Sequence, residues 1–161
     1  MTTTFTITAA SERDVPTILQ MIKALAEYEK LSHAVTATEE RLRDTLFGPR
    51  PAAEVLMAYA DDHPAGFALF FHNYSTFLGQ RGVYLEDLFV APQWRGKGLG
   101  RQLLARLAHI ALDRGCGRLE WSVLDWNTPA IGFYRRLGAV PMDDWTIFRV
   151  AGDSLQRLAA G

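Results

Sequence analysis

The sequence predicts a single mixed α/β domain: a mostly antiparallel sheet with at least one parallel strand pair, flanked by helices. Three observations predict it. Strand-like runs follow one another through residues 54–90. From there to residue 137 strand and helix patterns alternate, and a helix between two strands is the usual crossover of a parallel pair. The third is size. The chain has 161 residues, 48% apolar and 22% charged, enough for one domain with a core and unlike the polar composition of disordered chains.

Phe5 to Thr8 alternate apolar and polar residues, as a short strand does. Ser11 and Asp14 stand at capping-box spacing, with Asp in place of the usual Glu. Pro16 falls in the first helical turn, where its missing N–H costs little. Val15, Ile18, Leu19, Ile22 and Leu25 recur at helical spacing and predict a helix to about Glu29. Thr36 followed by Glu39 predicts a second capped helix through Leu42 and Leu46, stopped by Gly48-Pro49. Glu54 to Ala60 reads as a strand, Asp61-Asp62-His63-Pro64 as a turn, and Ala65 to Tyr74 as the partner strand. After a loop from Ser75 to Gly82, Val83 to Val90 is a third strand, ended by Pro92, which has no N–H for a ladder. Leu99, Leu103, Leu104, Leu107, Ile110 and Ala111 mark an amphipathic helix from Gly98 to about Arg114, closed by Gly115-Cys116-Gly117. Leu119 to Leu124 is a strand, Thr128 to Leu137 a helix with Gly138 as its stop, and Trp145 to Val150 a last strand.

Charge and composition exclude several functions. Seventeen basic residues against eighteen acidic give a net charge of −1, so no globally basic face awaits nucleic acid. No uncharged apolar run approaches the ~18–20 residues that span a bilayer, and residues 1–10 lack the pattern of a secretory leader. The lone Cys116 forms neither an internal disulfide nor a cysteine metal cluster. His33, His63, His72 and His109 lack ligand spacing. The expectation is a reducing, cytoplasmic setting and no metal.

The most informative stretch runs from Leu88 to Gly100: strand, short turn, three alternate glycines, helix. Glycines there admit φ > 0 and let a ligand approach the backbone, and the free N–H groups of a helix start favour an anion. Arg95, Lys97 and Arg101 add positive charge, and a pyrophosphate is the expected guest. The dinucleotide fingerprint fails, because its third glycine position is Leu103; a Walker loop fails, because Gly98 follows Lys97. A plain flexible turn is the bland alternative, though three glycines would then only weaken the helix start at ~1 kcal/mol each.

Arg95-x-x-Gly98-x-Gly100 resembles the acetyl-CoA pyrophosphate loop of the GCN5-related N-acetyltransferases (GNAT). Val83-Tyr84-Leu85-Glu86-Asp87-Leu88-Phe89-Val90 and the stretch from Glu120 through Asn127-x-Pro129-Ala130-Ile131-x-Phe133-Tyr134 are similar to the diamine (spermidine/spermine) acetyltransferase branch, which includes thialysine acetyltransferases. The resemblance begins at Leu25-Ala26-Glu27-Tyr28-Glu29 and covers nearly the whole chain. It implies the GNAT fold with a splayed parallel strand pair, acetyl-CoA as co-substrate, a small-molecule amine as acceptor and a homodimer.

Acetyl transfer to an amine needs a deprotonated nitrogen, yet an alkylamine has a pKa near ~10.4 and is mostly cationic at neutral pH. Glu86 lies in an otherwise apolar strand, where an unpaired carboxylate is costly to bury, and is the candidate to hold and deprotonate the ammonium. A buried salt bridge is its plainer reading. Asp87, on the opposite face if strand alternation holds, reads as structural. The resemblance makes Tyr134 the general acid that protonates the leaving thiolate; packing against the sheet is the alternative. It also implies that Leu88, Phe89 and Val90 offer backbone to the pantetheine arm. Arg95, Gly96, Lys97, Gly98, Leu99, Gly100 and Arg101 form the diphosphate loop, and Asn127, Thr128, Pro129 and Ala130 line the cofactor's other side. Tyr28 and Glu29, with Glu120, Trp121 and Ser122, would complete the amine pocket through charge and cation–π contact. Two rival functions remain open at this point: an acyl-CoA-binding sensor without turnover, and an acetyltransferase of protein N-termini or lysines.

Overall fold

In the computed structural model of the protein, which describes residues 2–161, the chain runs β1 (Phe5–Ala9), α1 (Val15–Tyr28), α2 (Glu39–Phe47), β2 (Glu54–Ala60), β3 (His63–Ser75), β4 (Gln80–Val90), α3 (Leu99–Asp113), β5 (Leu119–Trp121), α4 (Thr128–Arg136) and α5 (Gly152–Ala159). The strands neighbour one another in chain order. The first three pairs are antiparallel, and β4–β5 is parallel with α3 as its crossover. This is the expected mixed sheet. The chain divides into two compact units, one ending at Ser122 with the whole sheet and the other spanning Val123–Gly161.

Strand alternation sends Val55, Met57, Phe67 and Phe89 to one face, where they pack with Val15, Ile18, Leu42 and Leu46 of α1 and α2. Val15, Ile18, Met57 and Phe67 are fully buried. Burial of such side chains contributes about 1.5–3 kcal/mol each before chain entropy is set against it. The other face carries Gly66 and Phe70 and meets α3, whose Leu99, Leu103 and Leu107 are buried.

The start of α1 follows the Ser11–Asp14 pattern: the Asp14 carboxylate accepts the Ser11 backbone N–H at 2.7 Å. It also accepts the Tyr59 O–H, which ties the helix entrance to β2. Burial and that bond push the Tyr59 phenol up to about 12. For α2 the cap is Thr38, not Thr36. Thr38 is the extended residue immediately before Glu39, and its hydroxyl accepts the Arg41 N–H at 3.2 Å; Thr36, two residues too early, contributes only its carbonyl to the Arg41 guanidinium.

Other differences have local causes. The β2–β3 turn is shorter than expected, and Pro64 lies inside β3 beside a register shift at Ala58/Tyr59, an irregularity that accommodates a residue with no N–H. β4 begins at Gln80 rather than Val83. β5 stops at Trp121 rather than Leu124, because its partner β4 bulges just beyond Leu85. Trp145 to Val150 is not a strand: the segment is irregular, with Trp145, Ile147 and Phe148 largely exposed. Alternation alone does not supply the neighbouring edge that a strand's backbone needs. The helix α5 beyond it was not foreseen in the sequence.

Candidate active site

The glycine loop has the expected backbone. After a 3-10 turn over Pro92–Trp94, Gly96 has φ +74° and Gly98 φ +85°, the left-handed region that a side chain disfavours. Gly98 is the N-cap of α3, and its carbonyl takes the first helical bond from Gln102 N–H at 3.1 Å. The amides of Leu99, Gly100 and Arg101 precede that bond and lie at the positive end of the helix dipole. A Cβ placed on Gly96, Gly98 or Gly100 would meet no protein atom within 4 Å, so the loop borders open space. Lys97 and Arg101 are exposed there, whereas Leu99 is buried and anchors the helix start.

The strand leading into the loop is open along one flank. β5 pairs only with Val83, Tyr84 and Leu85, so β4 from Glu86 onward has no strand neighbour on that side among the described residues. Ala91 N–H donates to Ala65 of β3 at 2.8 Å, which fixes the alternation. The peptide groups of Phe89 therefore face β3, and those of Leu88 and Val90 face the open flank. The Phe89 side chain is buried in the core.

On β3 and β4, Leu69 pairs with Asp87 but Phe70 with Leu85, so Glu86 is the extra residue of a β-bulge. The bulge leaves Glu86 exposed, against the expectation of a carboxylate buried in an apolar strand. It also breaks the alternation on which the reading of Asp87 rested. Asp87 shares the α1 face with Leu69 and Phe89. Burial, with the charges of Glu86 and Glu29 behind it, raises its carboxyl to about 6. Glu29, the half-buried cap residue of α1, is also raised, by burial first and by Glu86 second. Glu29, Glu86 and Asp87 thus lie close enough for the charge of each to act on the others. Sequence reading gave Asp87 a structural role only; the bulge beside it has no compositional signature.

Tyr28 stands at the end of α1, where the Arg95 guanidinium lies over its ring at 5.3 Å from the centroid. The strand-borne candidates stand on β5 and just beyond it, beside the stretch of β4 that precedes Glu86. Glu120 accepts Asn73 Nδ2–H at 3.2 Å and pairs with Arg118 at 3.7 Å, and Ser122 bonds Tyr84 at 2.8 Å. Trp121 is half-buried opposite Leu85.

In the second unit Asn127 caps α4, its side-chain oxygen accepting the Ala130 N–H at 3.4 Å, and Thr128 and Pro129 form the first turn. Tyr134 packs its ring against Phe133 with centroids 5.6 Å apart, and its carbonyl accepts from Leu137 and Ala139 as the helix ends at Gly138.

Residues 19–139 match the acetyltransferase (GNAT) family model. The chain is 41% identical to thialysine N-epsilon-acetyltransferase of Bos taurus, over 95% of this chain and 96% of that one. It is 34% identical to L-ornithine N5-acetyltransferase of Arabidopsis thaliana, over 94% and 86% of the two chains. Among solved structures, an integron cassette protein from the mobile metagenome of V. cholerae superposes with a TM-score of 0.81 at 27% identity, covering 98% of each chain.

Proposed function

This chain belongs to the GNAT family and is an N-acetyltransferase, and from that premise we propose that it moves the acetyl group of acetyl-CoA to a primary amine of a small cationic amine. The relatives named for thialysine and ornithine support that substrate class, as does the polyamine-branch resemblance. The observation that carries the reading is the mutual influence of the carboxylates of Glu29, on α1, and Glu86 and Asp87, on the strand that leads to the glycine loop, an arrangement that suits an ammonium.

The residues present fit acetyl-CoA. Left-handed glycines opening on free space suit a diphosphate, with Lys97 and Arg101 beside it. The open flank at Leu88 and the Val90 N–H suits an amide-bearing arm, the Val90 carbonyl already accepting from Arg95, and Asn127 to Ala130 are assigned to its other side by motif. When bound, acetyl-CoA supplies the activated acyl group as a thioester. Glu86 and Glu29 hold the ammonium by charge. Asp87, titrating at about 6, is ionised at neutral pH yet more basic than an ordinary carboxylate, and accepts the proton from the amine nitrogen, directly or through water. Tyr134 gives its phenolic proton to the departing sulfur; the motif alone supports this role. Trp121 adds an aromatic face for the cation, and Glu120 and Ser122 shape the pocket wall. The family match spans residues 19–139, which supports reading the chain as a single acetyltransferase domain. A cytoplasmic homodimer completes the reading; light scattering on the purified protein tests the dimer.

Thiol release from acetyl-CoA, followed with thialysine, ornithine, putrescine, spermidine and a lysine peptide, tests the function. Acceleration by the small amines is expected. Binding of acetyl-CoA with no acceleration by any amine would make the chain a sensor, and acceleration by the peptide alone would make it a protein acetyltransferase.

A further inference from the structure

We propose that Arg95 is a positioning residue that fastens the amine-binding end of α1 to the end of β4, and that its side chain is not a ligand of the diphosphate. The proposal rests on the acetyltransferase reading and narrows one part of it. Arg95 opens the glycine motif, yet its side chain turns back from the glycines. Its Nε–H donates to the Val90 carbonyl at 2.9 Å, which fixes the plane of the guanidinium. The guanidinium carbon lies 5.3 Å from the centroid of the Tyr28 ring and 5.8 Å from that of Phe89. Phe89 is 6% exposed and part of the core, so one side of this contact is fixed. The other side is the last residue of α1, directly before Glu29.

A cation held between two ring systems and a carbonyl is committed. Its consequence falls on α1. The helix ends at Tyr28, and Lys30 turns left-handed at φ +62°, so Glu29 lies in the turn that closes the helix. Without the guanidinium over Tyr28, the end of α1 loses one of its ties to β4, and Glu29 is held less firmly beside Glu86 and Asp87. The charge at the glycine loop is then supplied by Lys97 and Arg101, both exposed there.

Three single variants, Arg95→Met, Arg95→Lys and Tyr28→Leu, and the double variant of Arg95→Met with Tyr28→Leu test this. Calorimetry gives the acetyl-CoA affinity independently of turnover, and steady-state kinetics give the amine KM. We expect Arg95→Met to raise the amine KM about tenfold while acetyl-CoA affinity stays within about threefold of wild type. Tyr28→Leu should do the same, and the double variant should be little worse than either single change, because both remove one shared contact. Arg95→Lys keeps the cation but not the planar Nε–H bond and should fall between, which also serves if the methionine variant folds poorly. A loss of acetyl-CoA affinity with the amine KM unchanged overturns the proposal and makes Arg95 a phosphate ligand. Additive effects of Arg95→Met and Tyr28→Leu overturn it as well. If wild-type protein does not bind acetyl-CoA, the acetyltransferase reading itself fails, a result separate from any behaviour of the variants.

Discussion

Arg114 grips Glu54 with two guanidinium nitrogens, at 2.7 and 2.9 Å, joining the end of α3 to the first residue of β2. The same Nη1 lies 3.0 Å from His72 Nε2, while His72 Nδ1 is 2.9 Å from the Gly82 carbonyl. A carbonyl only accepts and a guanidinium only donates, an arrangement that suits the tautomer with the proton on Nδ1. Arg114 also lies over Phe70, which makes this the tie between crossover helix and sheet.

The Glu54–Arg114 bond lowers the Glu54 carboxyl below its ordinary 4.5. A lowered carboxyl stabilises the fold above its unfolded pKa and loses that contribution as pH falls through the folded value. Glu54→Gln should therefore cost at most about 1 kcal/mol at pH 7, since both side chains are partly exposed to screening solvent. The gap to wild type should close in the acid limb below 4.5. Thermal melts across pH check it; a gap that persists in acid contradicts the assignment.

Asp87 behaves with the opposite sign. Its carboxyl rises from 3.8 to about 6 in the fold, so the folded state binds more protons than the unfolded state between those values. Stability is greatest below the lower value and declines as pH rises through the upper one. Asp87→Asn should match or exceed wild-type stability at pH 7–8, yet lower kcat by about 100-fold. In the wild type kcat/KM should rise through about pH 6. Melting curves and a pH–rate profile report the two effects independently, and a variant that is less stable with full activity reverses both.

Gly98 and Gly100 should separate strain from access. Gly98→Val forces a branched side chain into φ +85°, at about 1–2 kcal/mol of stability or more, and weakens acetyl-CoA binding. Gly100 lies in the first turn of α3 without positive φ, and an added methyl meets no protein atom. Gly100→Ala should gain up to about 1 kcal/mol of stability while losing acetyl-CoA affinity. Calorimetric affinity beside a denaturant melt decides; unchanged affinity in both variants removes the loop from the binding site.

Tyr134→Phe should lower kcat by about 100-fold while leaving acetyl-CoA affinity within about twofold, because one proton donor is lost and no binding surface. An unchanged kcat ends its role as acid.

The helices α1 and α3 were legible in the sequence because apolar period and punctuation agree: Pro16 opens one, and Gly98 and Gly115 bracket the other. The glycine loop was legible for the same reason, its residues being special in backbone rather than in contact. The bulge at Glu86 was not, since Tyr84 to Val90 reads as an uninterrupted strand and the extra residue exists only relative to β3. Glu86 is exposed rather than buried as a result. Thr36 and Thr38 both offer a cap, and only the backbone of Thr38 turns correctly. Trp145 to Val150 has strand composition without a strand's neighbour.

The open flank at Leu88 and Val90 carries one more implication. What it offers a guest is main chain, identical whatever side chains the strand bears. Drift at those positions can reshape the walls of the acceptor pocket while the grip on the donor arm persists, provided the strand keeps its course. A scaffold of this kind can change its choice of acceptor by point substitution without having to reinvent its hold on the donor.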